Sequence, residues 1–199
     1  MKVYSYLIVA FSLLVLACQS PTKTDTSGNT DSSKFVENDS NTIAKDSLSL
    51  VKANYERIHA IQNWDKIDSA QIHESTEGGQ VNYYFKNNVL EKMRASHYGE
   101  SGYTHVDYYL LNNELSFVFE DVYQYNAHMY SPEFDNSKTK KGWENRFYYF
   151  DNVFFKFIGT KEQEADLAGT ADRAKVHQEM FKKFLKIKDN GYKDVDALP

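Results

Sequence analysis

Hydrophobic and polar positions along the chain change their spacing twice, which predicts a helix, then a sheet, then a second helix. From Thr42 to about Trp64 apolar side chains recur every three or four residues, as on one face of an amphipathic helix that Asp46 or Ser47 would cap. We expect this stripe to pack on the domain's own sheet, because it is only as wide as a globular helix needs. The stripe consists of Leu48, Val51, Tyr55, Ile58 and Ile61.

The middle of the chain contains one hairpin pattern three times: an aromatic run, a two-residue Asn-Asn or Asp-Asn pair, and a second apolar run. Asn and Asp tolerate positive φ, so these pairs favour two-residue type I′ turns. Such turns predict one mostly apolar sheet face and one partly exposed face. The turn pairs are Asn87-Asn88, Asn112-Asn113 and Asp151-Asn152.

The same turns predict which residues lie opposite each other in the hairpins. Beside the turns, the predicted pairs are Phe85 with Leu90, Leu110 with Leu115, and Tyr149 with Phe154. Farther from the turns, they are Tyr83 with Lys92, Tyr108 with Phe117, Val106 with Phe119, and Phe147 with Lys156.

Bends and a second helix complete the predicted domain. Gly78-Gly79 and the segment from Gly99 to Gly102 suit bends before and after the first hairpin. Residues 123–143 are predicted to be mostly a long loop, with the preceding strand reaching about Tyr125. After Gly159 the pattern is helical until Asn190-Gly191. The predicted helical residues are Ala165, Leu167 and Ala168, then a stripe of Val176, Met180, Phe181, Phe184 and Ile187.

These elements predict an α+β fold: an antiparallel sheet of about six strands, built from three hairpins and packed with an N-terminal and a C-terminal helix. A single domain would occupy residues 42–190, followed by a tail at 191–199. An aromatic content of 15%, with 15 Tyr and 13 Phe, favours strands.

The N-terminus is typical of an export signal. Lys2 is followed by a nearly unbroken apolar run that ends at Ala17 and is too short to span a bilayer. Val15-Leu16-Ala17-Cys18 resembles the lipobox of bacterial lipoproteins. The resemblance implies cleavage of residues 1–17 and acylation of Cys18, which would anchor the chain to a membrane. Cys18 is the only cysteine, so neither an intrachain disulfide nor a thiol nucleophile is expected.

Residues 18–41 are rich in Ser, Thr, Asp and Asn, and we expect a disordered tether between the lipid and the domain. By resemblance to lipoprotein sorting, Gln19 after the acylated residue indicates the outer membrane of the cell envelope. The net charge is -5, and loss of Lys2 would leave 22 basic and 28 acidic side chains. A mildly acidic chain has no long-range attraction for nucleic acid, so nucleic-acid binding is disfavoured.

The sequence contains no motif for catalysis, cofactor binding or phosphate binding. His73-Glu74 lacks the second histidine of a zinc site. A metal site with one nitrogen each from His97, His105 and His128 is a weaker hypothesis than the default, in which these histidines are exposed on the surface. Adjacent carboxylates at Glu120-Asp121 point to opposite faces of a strand. We therefore predict no metal, no cofactor and no catalytic residue.

Exposed aromatic side chains around the long loop are the best candidates for binding, although core and cross-strand packing is the more frequent role of such residues. The candidates are Tyr123, Tyr125, His128, Tyr130 and Trp143. The first hypothesis is a lipoprotein that binds a protein or glycan partner. The alternative is a hydrolase with a His and a carboxylate brought together from distant positions. A structural envelope protein is the third.

Overall fold

The computed structural model describes residues 37–160 and 167–193, with side chains at 45–160 and 169–193. The predicted signal peptide, Cys18, most of the predicted tether, Ala165 and the end of the predicted tail lie outside these residues. The described elements are α1 (Glu37–His59), β1 (Lys66–Ile72), β2 (Gly79–Lys86), β3 (Val89–Gly99), β4 (Gly102–Leu111), β5 (Glu114–Gln124), β6 (Lys140–Phe150), β7 (Val153–Gly159) and α2 (Leu167–Asp189).

The strands form one antiparallel sheet in sequence order, from β1 at one edge to β7 at the other. The α+β class and the two helices are confirmed, but the sheet has seven strands and not about six. The additional strand is β1, which pairs with β2. Its sequence, KIDSAQI, is mostly polar, so it depends on pairing at the sheet edge more than on its own strand propensity.

All three predicted turns are confirmed. Both residues of each pair have positive φ, from 49° to 67°, as a type I′ turn requires. Asn and Asp reach this left-handed region more easily than other non-glycine residues. The three turns therefore join β2 to β3, β4 to β5, and β6 to β7 at the same end of the sheet.

A β-bulge lies close to each turn and changes the register beyond it. The pairs beside the turns are as predicted, but one extra residue follows in each outgoing strand: Glu91, Ser116 and Phe155. The predictions farther from the turns are therefore wrong by one residue. The observed pairs are Tyr83 with Met93, Tyr108 with Val118, Val106 with Glu120, and Phe147 with Phe157.

Helix α2 packs on one face of the sheet, here called the α2-side face, over the larger apolar core. The hydroxyl of Tyr83 donates to the carbonyl oxygen of Phe184 at 2.8 Å, and that of Tyr149 donates to Ala174 at 2.9 Å. These bonds satisfy two fully buried tyrosines. The buried helix stripe is Thr170, Ala174, His177, Phe181, Phe184 and Ile187.

Helix α1 packs on the opposite face, here called the α1-side face, mainly against β4, β5 and β6. The prediction of one partly exposed face is correct only for the area beyond α1, because Tyr109, Phe117 and Tyr148 are buried beneath the helix. Apolar burial on both faces holds the helices on the sheet. Residues of α1 in this cluster are Leu48, Val51, Tyr55 and Ile58.

Polar contacts join α1 to the bulges. The Asn54 amide donates to the carbonyl of Leu110 at 2.8 Å and to the hydroxyl of Ser116 at 3.3 Å. The Arg57 guanidinium donates to Glu91 at 2.9 Å, and this ion pair raises the pKa of Arg57. Two of the three bulge residues therefore fix the position of α1, and the third, Phe155, packs into the same apolar cluster.

The helix ends differ from the predictions in part. Helix α1 begins at Glu37, so Asp46 and Ser47 lie inside it and cannot cap it, and Ile61 lies beyond its end. In α2, Val176 is 54% exposed and the stripe passes through His177 instead. Gly191 ends α2 in the left-handed conformation as predicted. Neither helix has the length and apolar character to cross a membrane.

Candidate functional site on the α1-side face

The α1-side face carries a row of tyrosines at the end of the sheet farthest from the type I′ turns. Tyr103 of β4 lies opposite Tyr98 of β3 and Tyr123 of β5. The rings of Tyr103 and Tyr123 stack with their centroids 4.7 Å apart, and Tyr125 lies 6.0 Å from Tyr103. We call these four residues the tyrosine ladder. Tyr98 is 40% exposed.

Charged side chains border the ladder. The Tyr123 hydroxyl donates to Asp121 at 2.8 Å, and this bond to a carboxylate raises the pKa of Tyr123. The Lys141 ammonium lies 3.0 Å from the other Asp121 oxygen, also pairs with Glu144, and lies 5.9 Å from the centroid of the Tyr123 ring. The ladder is thus an amphipathic surface with fixed donors and acceptors at one side.

An ion pair between Arg94 and Asp107 lies on the same face, farther along β3 and β4 toward the type I′ turns. Asp107 is 3% exposed and accepts two hydrogen bonds from Arg94, at 2.7 and 2.6 Å. These bonds raise the pKa of Arg94. His105 lies next to Tyr103, and burial, with a further contribution from the Arg94 charge, lowers the pKa of His105.

The hydrolase alternative has one partial arrangement on this face. His105 lies opposite Asp121, and its Nδ1 is 2.9 Å from the hydroxyl of Ser96. Ser96 is 7% exposed, so a substrate carbonyl has little access to its hydroxyl. A nucleophile needs both an adjacent base and room for the reacting atom, and only the first is present here.

The three-histidine metal hypothesis is wrong. His97 lies opposite Thr104, while His105 lies opposite Ser96, so the two histidines are on opposite faces of the sheet. His128 lies in the loop, with its Nε2 2.5 Å from Glu100. Across the described part of the chain, no group of three or more His, Cys, Asp or Glu side chains is placed to hold a metal ion.

The five predicted binding residues fall into three places. Tyr123 and Tyr125 belong to the ladder. His128 and Tyr130 lie together in the loop, with ring centroids 5.6 Å apart, and Tyr130 donates to Glu77. Trp143 lies opposite Val122 within β6, on the α2-side face. Residues 140–143 are strand and not loop, so the described loop spans only 125–139.

A cavity of about 340 Å³, which was not predicted from the sequence, lies beside α1 on the same face. We call it the aromatic cleft. Phe117 and Tyr148 have ring centroids 5.0 Å apart, and Tyr55 of α1 meets Phe117 edge-on at 5.3 Å. The alternating aromatics of β5 were visible in the sequence, but only α1 turns them into a cleft. Its lining is Val51, Lys52, Tyr55, Glu56, Phe117, Phe119, Arg146 and Tyr148.

The entrance to the cleft is charged. Lys52 and Glu56 come from α1, and Arg146 comes from β6, where it pairs with Glu144 and lies 5.2 Å from the centroid of the Phe119 ring. The cleft and the ladder adjoin, because the Lys141 ammonium is 5.9 Å from the Phe119 ring as well. Apolar groups therefore form the interior and charges form the rim, as in many small-molecule sites.

Comparisons with known proteins do not assign the chain to a family. No family model, no curated protein and no solved structure matches it.

Proposed function

We propose that this chain is a lipoprotein of the cell envelope, anchored through Cys18, whose domain binds a partner on the tyrosine ladder. The single observation that carries the binding role is the partly exposed row of four tyrosines, in which Tyr103 stacks on Tyr123 and lies beside Tyr125. Rigid aromatic side chains give large contact area at low entropic cost. A surface of this composition suits recognition more than chemistry.

A protein partner fits the ladder better than a glycan. Sugar rings stack on open aromatic faces, but the Tyr103 and Tyr123 rings cover each other's facing sides at an interplanar angle of 16°. Protein interfaces favour Tyr and Arg at their centres, with polar groups at the rim. Arg94, Lys141 and Asp121 supply those groups here.

The binding test uses the full chain in native membranes. Chemical crosslinking and mass spectrometry are expected to recover one reproducible partner with the wild type, and to lose it with Tyr103→Ser combined with Tyr123→Ser. The matched control is Tyr130→Ser, which removes a 68% exposed tyrosine from the loop. Circular dichroism checks that each variant folds.

Three outcomes would contradict this role for the ladder. The first is a partner that survives loss of the ladder, and the second is a partner lost equally with Tyr130→Ser, which would place binding in the loop. The third is binding of envelope polysaccharide in place of protein, which would support a glycan as the partner.

Anchoring is tested separately. Replacing Cys18 with Ser removes the acylated atom, so the chain should move from the membrane pellet to the soluble fraction. A chain with Cys18→Ser that has lost residues 1–17 and still stays in the pellet would show that lipid on Cys18 is not the anchor. If the wild-type chain stays in the pellet at high salt, simple ionic attachment is excluded.

A further inference from the structure

We propose that the aromatic cleft binds a free fatty acid, a single-chain amphiphile with a carboxylate head. The proposal goes beyond the partner role of the ladder, since the cleft and the ladder share no residue. The cleft is defined by α1 on one side and by β5 and β6 on the other.

The interior of the cleft suits an alkyl chain. Phe117 and Tyr148 are almost fully buried, at 4% and 6% exposure, so most of the accessible aromatic surface comes from the half-buried Tyr55 and Phe119. The four rings line a volume of about 340 Å³, near the lower limit of small-molecule sites, which span roughly 300–1,000 Å³. Removal of an alkyl chain from water into this space supplies the affinity.

The entrance of the cleft suits an anion. Two cations, Lys52 and Arg146, and one carboxylate, Glu56, line the cleft, and a second carboxylate, Glu144, pairs with Arg146 beside it. Among the described residues the Lys52 ammonium has no ion-pair or hydrogen-bond partner. Arg146 is paired with Glu144, but a guanidinium has five N–H donors and can accept a second carboxylate.

The position of the charges selects the head group. Lys52 and Arg146 come from opposite walls of the cleft, α1 and β6, so a head group at the rim lies within the field of both. A carboxylate head can accept charge-assisted hydrogen bonds from these two cations, whereas an alcohol forms only weaker bonds and an amine cannot accept them once protonated. Charge complementarity thus favours a carboxylate over an alcohol or an amine of the same chain length.

Other cavities are less suited to an alkyl chain. One of about 530 Å³ is lined by Asp65, Lys66, Phe85, Asn88, Lys188 and Tyr192. Another, of about 430 Å³, lies between α1 and the turns, where Asn, Arg and Glu side chains alternate with Val89, Leu90, Leu110 and Leu111. Polar walls would leave an alkyl chain in contact with groups that prefer water.

The experiment measures decanoate and 1-decanol binding to the full chain by calorimetry, with Cys18→Ser present so that no acyl chain or detergent competes. Decanoate should bind saturably to the parent. Lys52→Gln should weaken decanoate by about 1.5-fold to fivefold, the range for a solvent-accessible ion pair, and leave 1-decanol unchanged. Lys182→Gln, an exposed position of α2 on the opposite face, should change neither.

A tryptophan introduced into the cleft tests whether the ligand binds there. Phe119→Trp adds an indole at the cleft, and its emission should shift on addition of decanoate with the same midpoint as the calorimetric curve. Absence of saturable decanoate binding would overturn the proposal. So would equal weakening of decanoate and 1-decanol by Lys52→Gln, an equal loss with Lys182→Gln, or binding that leaves the added tryptophan unaffected. Tyr103→Ser should leave decanoate binding intact.

Discussion

His177 lies between α2 and the sheet, where it is 7% exposed and burial lowers its pKa to about 3. Its Nδ1 is 3.5 Å from the Tyr108 hydroxyl, and its ring centroid is 4.6 Å from that of Phe147. Arg173 on the same helix and His97 on β3 further disfavour a positive charge there. The folded protein therefore keeps His177 neutral.

The sign of the pH effect follows from the two pKa values. An unfolded histidine titrates near 6.5, so between pH 6.5 and about 3 the unfolded chain binds a proton that the folded chain does not. The contribution of neutral His177 to stability is present above pH 6.5 and is lost as the pH falls through this window. From pH 7 to pH 5, His177 alone should lower the free energy of unfolding by about 2 kcal/mol.

The assay is urea unfolding followed by circular dichroism at pH 7, 6 and 5. His177→Leu removes the titrating group, so the decrease in unfolding free energy between pH 7 and pH 5 should shrink by about 2 kcal/mol. Burial also lowers the pKa of His97 and of His105, and these residues account for a remaining slope. The control is His73→Leu, at an exposed position.

An unchanged pH dependence in His177→Leu would refute this reasoning. The same would follow if His73→Leu removed an equal part of the slope, because the effect would then not depend on burial. Leucine at this position changes the free energy of unfolding by the same amount at every pH, so that change does not affect the comparison between pH values.

Two further predictions concern a turn and the ion pair of Arg94 with the buried Asp107. Asn113 has φ 67°, so Asn113→Ala should lower the free energy of unfolding by about 1 kcal/mol, whereas Asn113→Gly should not. Thermal unfolding measures the difference. Equal melting temperatures of the two variants would show that positive φ at this position does not disfavour alanine. Asp107→Asn should cost about 2 kcal/mol in urea unfolding, because Arg94 loses its carboxylate. Adding Arg94→Gln should recover part of this loss, and strict additivity would show that the two residues are not coupled.

The turns were predictable from sequence because their determinant is local. Asn112 and Asn113 must each adopt positive φ, and Asn is among the few residues that do so readily. The bulges were not predictable, since an extra residue in a strand depends on what packs against it. Ser116 is a small polar residue in an otherwise apolar run, and it becomes intelligible only once Asn54 of α1 is seen to bond to it.

The candidate site was predictable to the extent that it depends on strand pairing. Tyr123 and Tyr125 lie together, as expected of residues at a strand end, but Trp143 points to the other face because β6 begins earlier than the loop prediction allowed. The aromatic cleft was missed because it requires α1 to lie on the second face of the sheet. Phe119 alone gave no indication of which helix would approach it.

The position of α1 connects these features. Asn54 and Arg57 bind the bulges of β5 and β3 near the turns, so α1 covers only the turn-proximal half of the face. Strand β5 continues beyond the helix, and its same-face residues pass from Phe117 under α1, through Phe119 at the edge, to Tyr123 in the open. The cleft is the boundary of the covered half, and the ladder is the uncovered half. Arg57→Gln removes the ion pair that joins α1 to Glu91, so it should alter decanoate binding in the cleft and leave the partner bound to the ladder.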